Sequence, residues 1–124
     1  MFPPVYAVCA ADTTCATLLS DTDGRLRLLP FGQMPQHSAR PYAVWQIIYG
    51  EPDNCITDIP DTDLFGLQFD VYAPTADGAR QIAQAIRGAV EPHAFLTRYS
   101  SETRESATEA YRYSFDVEWR IYRS

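Results

Sequence analysis

The stretch Leu64-Phe65-Gly66-Leu67-Gln68-Phe69-Asp70-Val71-Tyr72 alternates with a period of two, then runs through Pro74 into Ala76-Asp-Gly-Ala-Arg-Gln-Ile-Ala-Gln-Ala-Ile-Arg87. On a strand, Phe65, Leu67, Phe69 and Val71 share one face, while Gly66, Gln68, Asp70 and Tyr72 share the other. One face is built to be covered and the other to stay wetter. Pro74 ends the strand, because its nitrogen has no hydrogen to give to a ladder. Thr75 or Asp77 can then cap the free amides of a helix start. Ala79, Ile82, Ala83, Ile86 and Val90 recur at helical spacing, with Arg80, Gln81, Gln84, Arg87 and Glu91 on the opposite side. This pattern predicts an amphipathic helix of about four turns, stopped near Pro92 and covering one face of a sheet.

Working outward, residues 94–99 read as a strand, and Ser100-Ser-Glu-Thr-Arg-Glu-Ser-Ala-Thr-Glu109 is polar enough for an exposed loop. Residues 111–122 alternate again. Tyr111, Tyr113, Phe115, Val117, Trp119 and Ile121 take one face, and Arg112, Ser114, Asp116, Glu118 and Arg120 the other. Upstream, residues 42–49 are apolar or aromatic at almost every position, as a central strand would be. Residues 50–63 read as a polar loop. Pro30, Gly32, Pro35 and Pro41 make residues 30–41 irregular, residues 25–29 read as a short strand, and Asp21-Thr22-Asp23-Gly24 as a turn. The first twenty residues read as helical but interrupted. Pro3 and Pro4 suit a first helical turn, Val5, Val8 and Cys9 form a small apolar stripe, and Asp12 caps a second short turn carrying Cys15, Leu18 and Leu19 inward.

These readings give one domain over residues 1–124 of the α+β class. A single four- or five-stranded sheet, mainly antiparallel or mixed, carries helices on one face in the order α-β-β-β-α-β-β. The opposite face bears Gln68, Asp70, Ser114, Asp116 and Glu118. It should meet water, a lumen or a partner rather than a dry core.

A chain of 124 residues buries roughly two thirds of its unfolded surface, enough for one core without a metal or disulfide. All ten basic residues are Arg, and sixteen acidic residues set the formal charge at -6. That balance disfavours non-specific attraction to phosphate backbones. The three cysteines, Cys9, Cys15 and Cys55, cannot close as a complete disulfide set and read as buried or incidental thiols. Residue order at the N-terminus does not predict a signal peptide, and no apolar run reaches the length of a bilayer span.

Catalytic material is thin. His37 and His93 are the only histidines, and neither sits in H-E-x-x-H or beside cysteines at zinc-binding spacing. No G-x-S-x-G elbow, Walker A loop or G-x-G-x-x-G occurs. Glu51, Asp53, Asp58, Asp61 and Asp63 lack ordered calcium-loop spacing and are interrupted by Pro52 and Pro60, so a solvated loop is expected rather than a metal site. Asp116 and Glu118 alternate with Arg112 and Arg120 as a charge-balanced sheet face does. No cofactor and no turnover are expected.

The order of segments also resembles a known family. Pro-Tyr-Ala-Val-Trp-Gln at 41–46 enters a strand and is followed by Gly50-Glu-Pro52. Leu67-Gln-Phe-Asp-Val-Tyr-Ala-Pro74 leads into the Ala-rich helix, and Tyr113-Ser-Phe-Asp-Val-Glu-Trp-Arg-Ile-Tyr122 closes the pattern. The chain looks like the tail terminator, or tail completion, family of long-tailed bacteriophages and their prophages. The resemblance implies a structural protein of the virion tail, assembled in the bacterial host cytoplasm. It implies a ring, typically hexameric, that caps the head-proximal end of the tail tube, stops tube polymerisation and offers the surface for head joining. Its implied partners are other copies of itself, the major tail tube protein and a head completion or connector protein. The resemblance further implies that DNA passes through without specific binding and that no membrane is involved, and the polar sheet face bearing Gln68, Asp70, Ser114, Asp116 and Glu118 is the candidate lumen wall. The alternatives are another small connector or tail tube protein, and, from a different class, a small ligand-binding or enzymatic domain.

Overall fold

The computed structural model describes residues 2–21, 23–33, 41–53, 62–105 and 110–122. Two short helices open it, α1 (Val5–Ala10) and α2 (Thr13–Leu19). Pro3 and Pro4 lead into α1 instead of lying within its first turn, and Pro4 is the N-cap. Helical backbone is disfavoured for a residue that precedes proline, which keeps Pro3 out of the helix ahead of Pro4. Asp12 then takes an extended conformation and accepts the Cys15 amide at 2.9 Å, starting α2. The interrupted N-terminal segment is thus two helices, and the order becomes α-α-β-β-β-α-β-β.

Five strands follow: β1 (Leu28–Pro30), β2 (Tyr42–Asp53), β3 (Thr62–Ala73), β4 (Ala94–Glu105) and β5 (Ala110–Tyr122), with α3 (Ala76–Val90) between β3 and β4. The sheet order is β1-β2-β3-β5-β4. β1 runs parallel to β2, and every other pairing is antiparallel, so the sheet is mixed. An isolated bridge joins Ser20 to Leu26 just ahead of β1, where residues 25–27 were expected to be strand. β5 inserts between β3 and β4. Those two strands therefore run parallel to each other, with α3 as the crossover.

The helices cover one face. Leu67, Phe69 and Val71 of β3 and Phe115, Val117 and Trp119 of β5 are buried with Ile82, Ala83, Ile86 and Val90 of α3. Phe69 and Phe115 stack at 5.1 Å across the ladder. α3 is capped by Thr75, whose hydroxyl accepts the Gly78 amide at 3.0 Å. Val5 and Cys9 of α1 and Cys15 and Leu19 of α2 close the same core.

Two segments expected as loops contain strand. Gly50, Glu51, Pro52 and Asp53 continue β2 and pair with residues 62–65, and residues 100–105 continue β4 against β5. Both stretches are polar for a shared reason. β4 is an edge strand, and β2 beyond Trp45 is no longer paired with β1, so each needs only one partner and leaves much of itself to water. Pro52 is tolerated there because an outer edge asks for no amide. The same geometry corrects the expectation of a central strand at 42–49, since Ile47, Ile48 and Tyr49 are exposed on that open run. Register shifts mark bulges between Ile47 and Tyr49 and twice along β4.

Candidate functional site

The sheet face away from the helices gathers the polar residues expected there. Register places Gln68 opposite Asp116, Asp70 opposite Ser114 and Gly66 opposite Glu118, so all five candidates lie on one face of β3 and β5. They are not equally wet. Asp70, Ser114 and Asp116 are only 6%, 1% and 8% exposed, while Gln68 and Glu118 are half-buried. This corrects the simple picture of a solvated wall.

Long side chains of neighbouring strands fold over the short ones. Arg112 sits diagonally from Asp70 and donates to its Oδ1 through Nη2 at 2.9 Å and Nε at 3.2 Å. The Ser114 hydroxyl also donates to that oxygen. Two side chains of β5 thus satisfy one carboxylate of β3. Gln46 of β2 donates to Gln68 at 3.0 Å, and Tyr42 stacks on Tyr72 at 5.1 Å. Asp116 is held less well. Its Oδ2 is 3.9 Å from Arg98 of β4, and its buried Oδ1 has no partner among the described residues. Burial pushes the Asp116 carboxyl above the ordinary carboxylate range; Arg98 opposes the shift and the Asp70 charge adds to it.

A second cluster spans three strands. The Tyr49 ring of β2 lies over Gly66 of β3, and its hydroxyl donates to Glu118 of β5 at 2.8 Å. A Cβ on Gly66 would stand 2.0 Å from the ring, so only glycine lets the tyrosine cross. The bond to Glu118 is the main reason that the Tyr49 phenol is pushed up. Sequence reasoning placed Gly66 and Glu118 on this face but missed Tyr49, Tyr42, Gln46 and Arg98. The alternation of β3 and β5 carried no information about which strands flank them.

Across its width the face presents Glu51, Asp70, Asp116 and Glu118 with Arg98, Arg112 and Arg120. Asp70, held by a guanidinium and a hydroxyl, and Glu118, held by the Tyr49 hydroxyl, are poor general bases. On the helix side, an open groove of about 650 Å³ between α2 and α3 is lined by groups such as Thr13, Thr17, Gln81 and Gln84, with no nucleophile–base pair. Cys9 and Cys15 are buried as free thiols, and the Cys15 thiol is pushed up, first by its hydrogen bond with Cys9 and then by burial. His93 stacks on Trp119 at 5.7 Å. Among the described residues no group of three or more His, Cys, Asp or Glu is placed to hold a metal ion. Of the acidic run at 51–63, Glu51 and Asp53 lie on β2 and Asp63 on β3; Asp58 and Asp61, like Cys55 and His37, lie outside the described residues.

A polar face of this kind on one side of a mixed sheet invites comparison with assembly proteins. The family model described as "Tail completion protein gp17" matches residues 3–122. The chain belongs to that family. Like the family, it is a structural protein of phage tail assembly. A chain from the virion of a native gene transfer agent particle has a similar fold, with a TM-score of 0.66, 14% identity, and coverage of 95% of this chain and 91% of that one. No curated protein matches. The match spans every helix and strand described above.

Proposed function

We propose that this protein forms a ring, a hexamer by family resemblance, on the head-proximal end of the tail tube. There it stops tube polymerisation and presents the surface to which the filled head joins. The observation that carries this reading is the family match over residues 3–122. The open polar face supports it, because the carboxylate–guanidinium pairs described there, Asp70 with Arg112 and Asp116 with Arg98, are internal to the subunit, and Glu51 and Glu118 add carboxylates that disfavour phosphate. Its partners are other copies of itself, the major tail tube protein and a head completion or connector protein. It acts in the virion tail after assembly in the host cytoplasm, with no turnover and no cofactor.

The test is direct. Purified protein added to growing tail tubes should arrest their length and leave a ring-shaped cap on one end in electron micrographs. Tubes that elongate unchecked, or a protein that polymerises into long filaments by itself, would identify a tube subunit or another connector part instead.

A further inference from the structure

Two cysteines have no part in the assembly reading, and the fold brings them together. Cys9 lies near the end of α1 and Cys15 near the start of α2. The break between the helices is tight: the Cys9 carbonyl accepts the Asp12 amide at 3.1 Å, and the Asp12 carboxylate accepts the Cys15 amide at 2.9 Å. Both cysteines are 0% exposed and sit in the same core cluster as free thiols. Their side chains are hydrogen-bonded to each other. Cysteine packs as a small hydrophobe, but two sulfurs in contact add the chemistry of a dithiol.

We infer that Cys9 and Cys15 form a dithiol that closes to a disulfide when the protein passes from a reducing to an oxidising medium, stapling α1 to α2. Closure ties together the two helices that complete the core, where Val5 and Leu19 are buried beside the cysteines, and leaves the polar sheet face untouched. The chemistry is independent of any ring. Only its setting, the passage from host cytoplasm to the surrounding medium, rests on the virion reading.

The oxidant is a low-molecular-weight disulfide such as oxidised glutathione. The Cys9 thiolate attacks one of its sulfurs and expels one glutathione thiolate, leaving a mixed disulfide on Cys9. The Cys15 sulfur then gives up its proton, attacks the Cys9 sulfur and expels the second glutathione thiolate. The chain loses two electrons and two protons, and the two glutathiones gain them. The order follows from the site, because the hydrogen bond to Cys9 and burial both favour the protonated Cys15 thiol. Neither sulfur is reached without local opening. α1 is only 6 residues long and its N-terminus has no side-chain cap, so it can lift from the core while the sheet stays folded.

The experiment incubates the full chain with excess oxidised glutathione in dilute urea, blocks the remaining thiols after denaturation and digests with trypsin. The chain has no Lys and its first Arg is Arg25, so Cys9 and Cys15 share the peptide 1–25, whereas Cys55 falls in the peptide 28–80. The 1–25 peptide should refuse the blocking reagent and weigh about 2 Da less than its dithiol form. The melting midpoint of the oxidised protein should rise by about 5 °C or more. Excess reduced glutathione in the same urea should reverse both changes. Cys9→Ala and Cys15→Ala should each abolish the rise; the comparison of oxidised with reduced wild-type protein needs no substitution and holds even if either variant fails to fold. A 1–25 peptide that keeps both thiols, or carries glutathione on them, overturns the inference, as does a disulfide joining it to 28–80. A midpoint that does not rise overturns the staple. A disulfide that excess reduced glutathione leaves closed overturns the switch, since it would close in the cytoplasm as well. No tube or ring enters the measurement, so its failure leaves the ring reading standing, and a failure to arrest tubes leaves the dithiol standing.

Discussion

Arg112 reaches diagonally across the β3–β5 ladder to put two nitrogens on Asp70 Oδ1, on the sheet face that no helix covers. The aspartate is nearly buried, while the arginine side chain keeps about a third of its surface in water. A carboxylate on an otherwise open face is thus desolvated by its own neighbours. Arg112→Ala should cost about 1–3 kcal/mol in urea unfolding, less than a fully buried pair because the arginine is partly solvated. Adding Asp70→Asn should recover part of that loss, and additive costs in the double variant would show that the two side chains do not act as a pair.

Asp116 should make stability fall with rising pH. Its folded carboxyl binds a proton more tightly than the ordinary carboxylate, so between the ordinary value and the raised one the folded state holds more protons than the unfolded state. Stability declines as pH climbs through that window, and the penalty is complete above it. Asp116→Asn should therefore raise the melting midpoint near neutral pH and lose its advantage at about pH 3. A gain of equal size at both pH values would point to packing, not ionisation.

Gly66→Ala should displace the Tyr49 ring from β3 and break its bond to Glu118. The ring is exposed enough to swing away, so a loss of about 1–2 kcal/mol is expected rather than unfolding. Spectrophotometric titration gives the sharper readout. One tyrosine that ionises late in the wild-type protein should ionise at lower pH in both Gly66→Ala and Glu118→Gln.

On the helix side, Ile86→Ala or Phe115→Ala should cost about 2–5 kcal/mol by lost burial and a residual cavity. Gln68→Ala, on the other face and half-buried, should cost much less. Ser114 does not belong with Gln68: it is buried with its hydroxyl on Asp70, and its loss to Ala should cost about 1–2 kcal/mol. Equal urea midpoints for Ile86→Ala and Gln68→Ala would contradict the facial assignment.

The lumen role of the open face has its own test. Gln68→Lys with Glu118→Lys adds positive charge while leaving the buried Asp70 and Asp116 intact. If these positions line the channel, rings should still form, DNA binding that weakens with salt should appear, and DNA delivery should fall. Normal delivery through an intact ring, or a ring structure with both residues on the outer circumference, would sink the assignment.

The amphipathic helix and the two facing alternations at 64–72 and 111–122 were legible in the sequence, because the direction of a side chain along a helix or strand is set by its immediate neighbours. So were the Thr75 and Asp12 caps, which act over three residues. The length of the two hairpins was not legible. Polar residues at 50–53 and 100–105 look like loop until it is known that each lies on an edge with a single partner. Nor did alternation reveal that Asp70, Ser114 and Asp116 are covered, for the groups around them come from β4 and β5, with Arg112 forty-two residues from Asp70. The Tyr49–Gly66–Glu118 contact likewise needs β2, β3 and β5 side by side. Local periodicity decided which way each residue points; only the order of strands decided what stands over it, because burial is the work of neighbours remote in the chain.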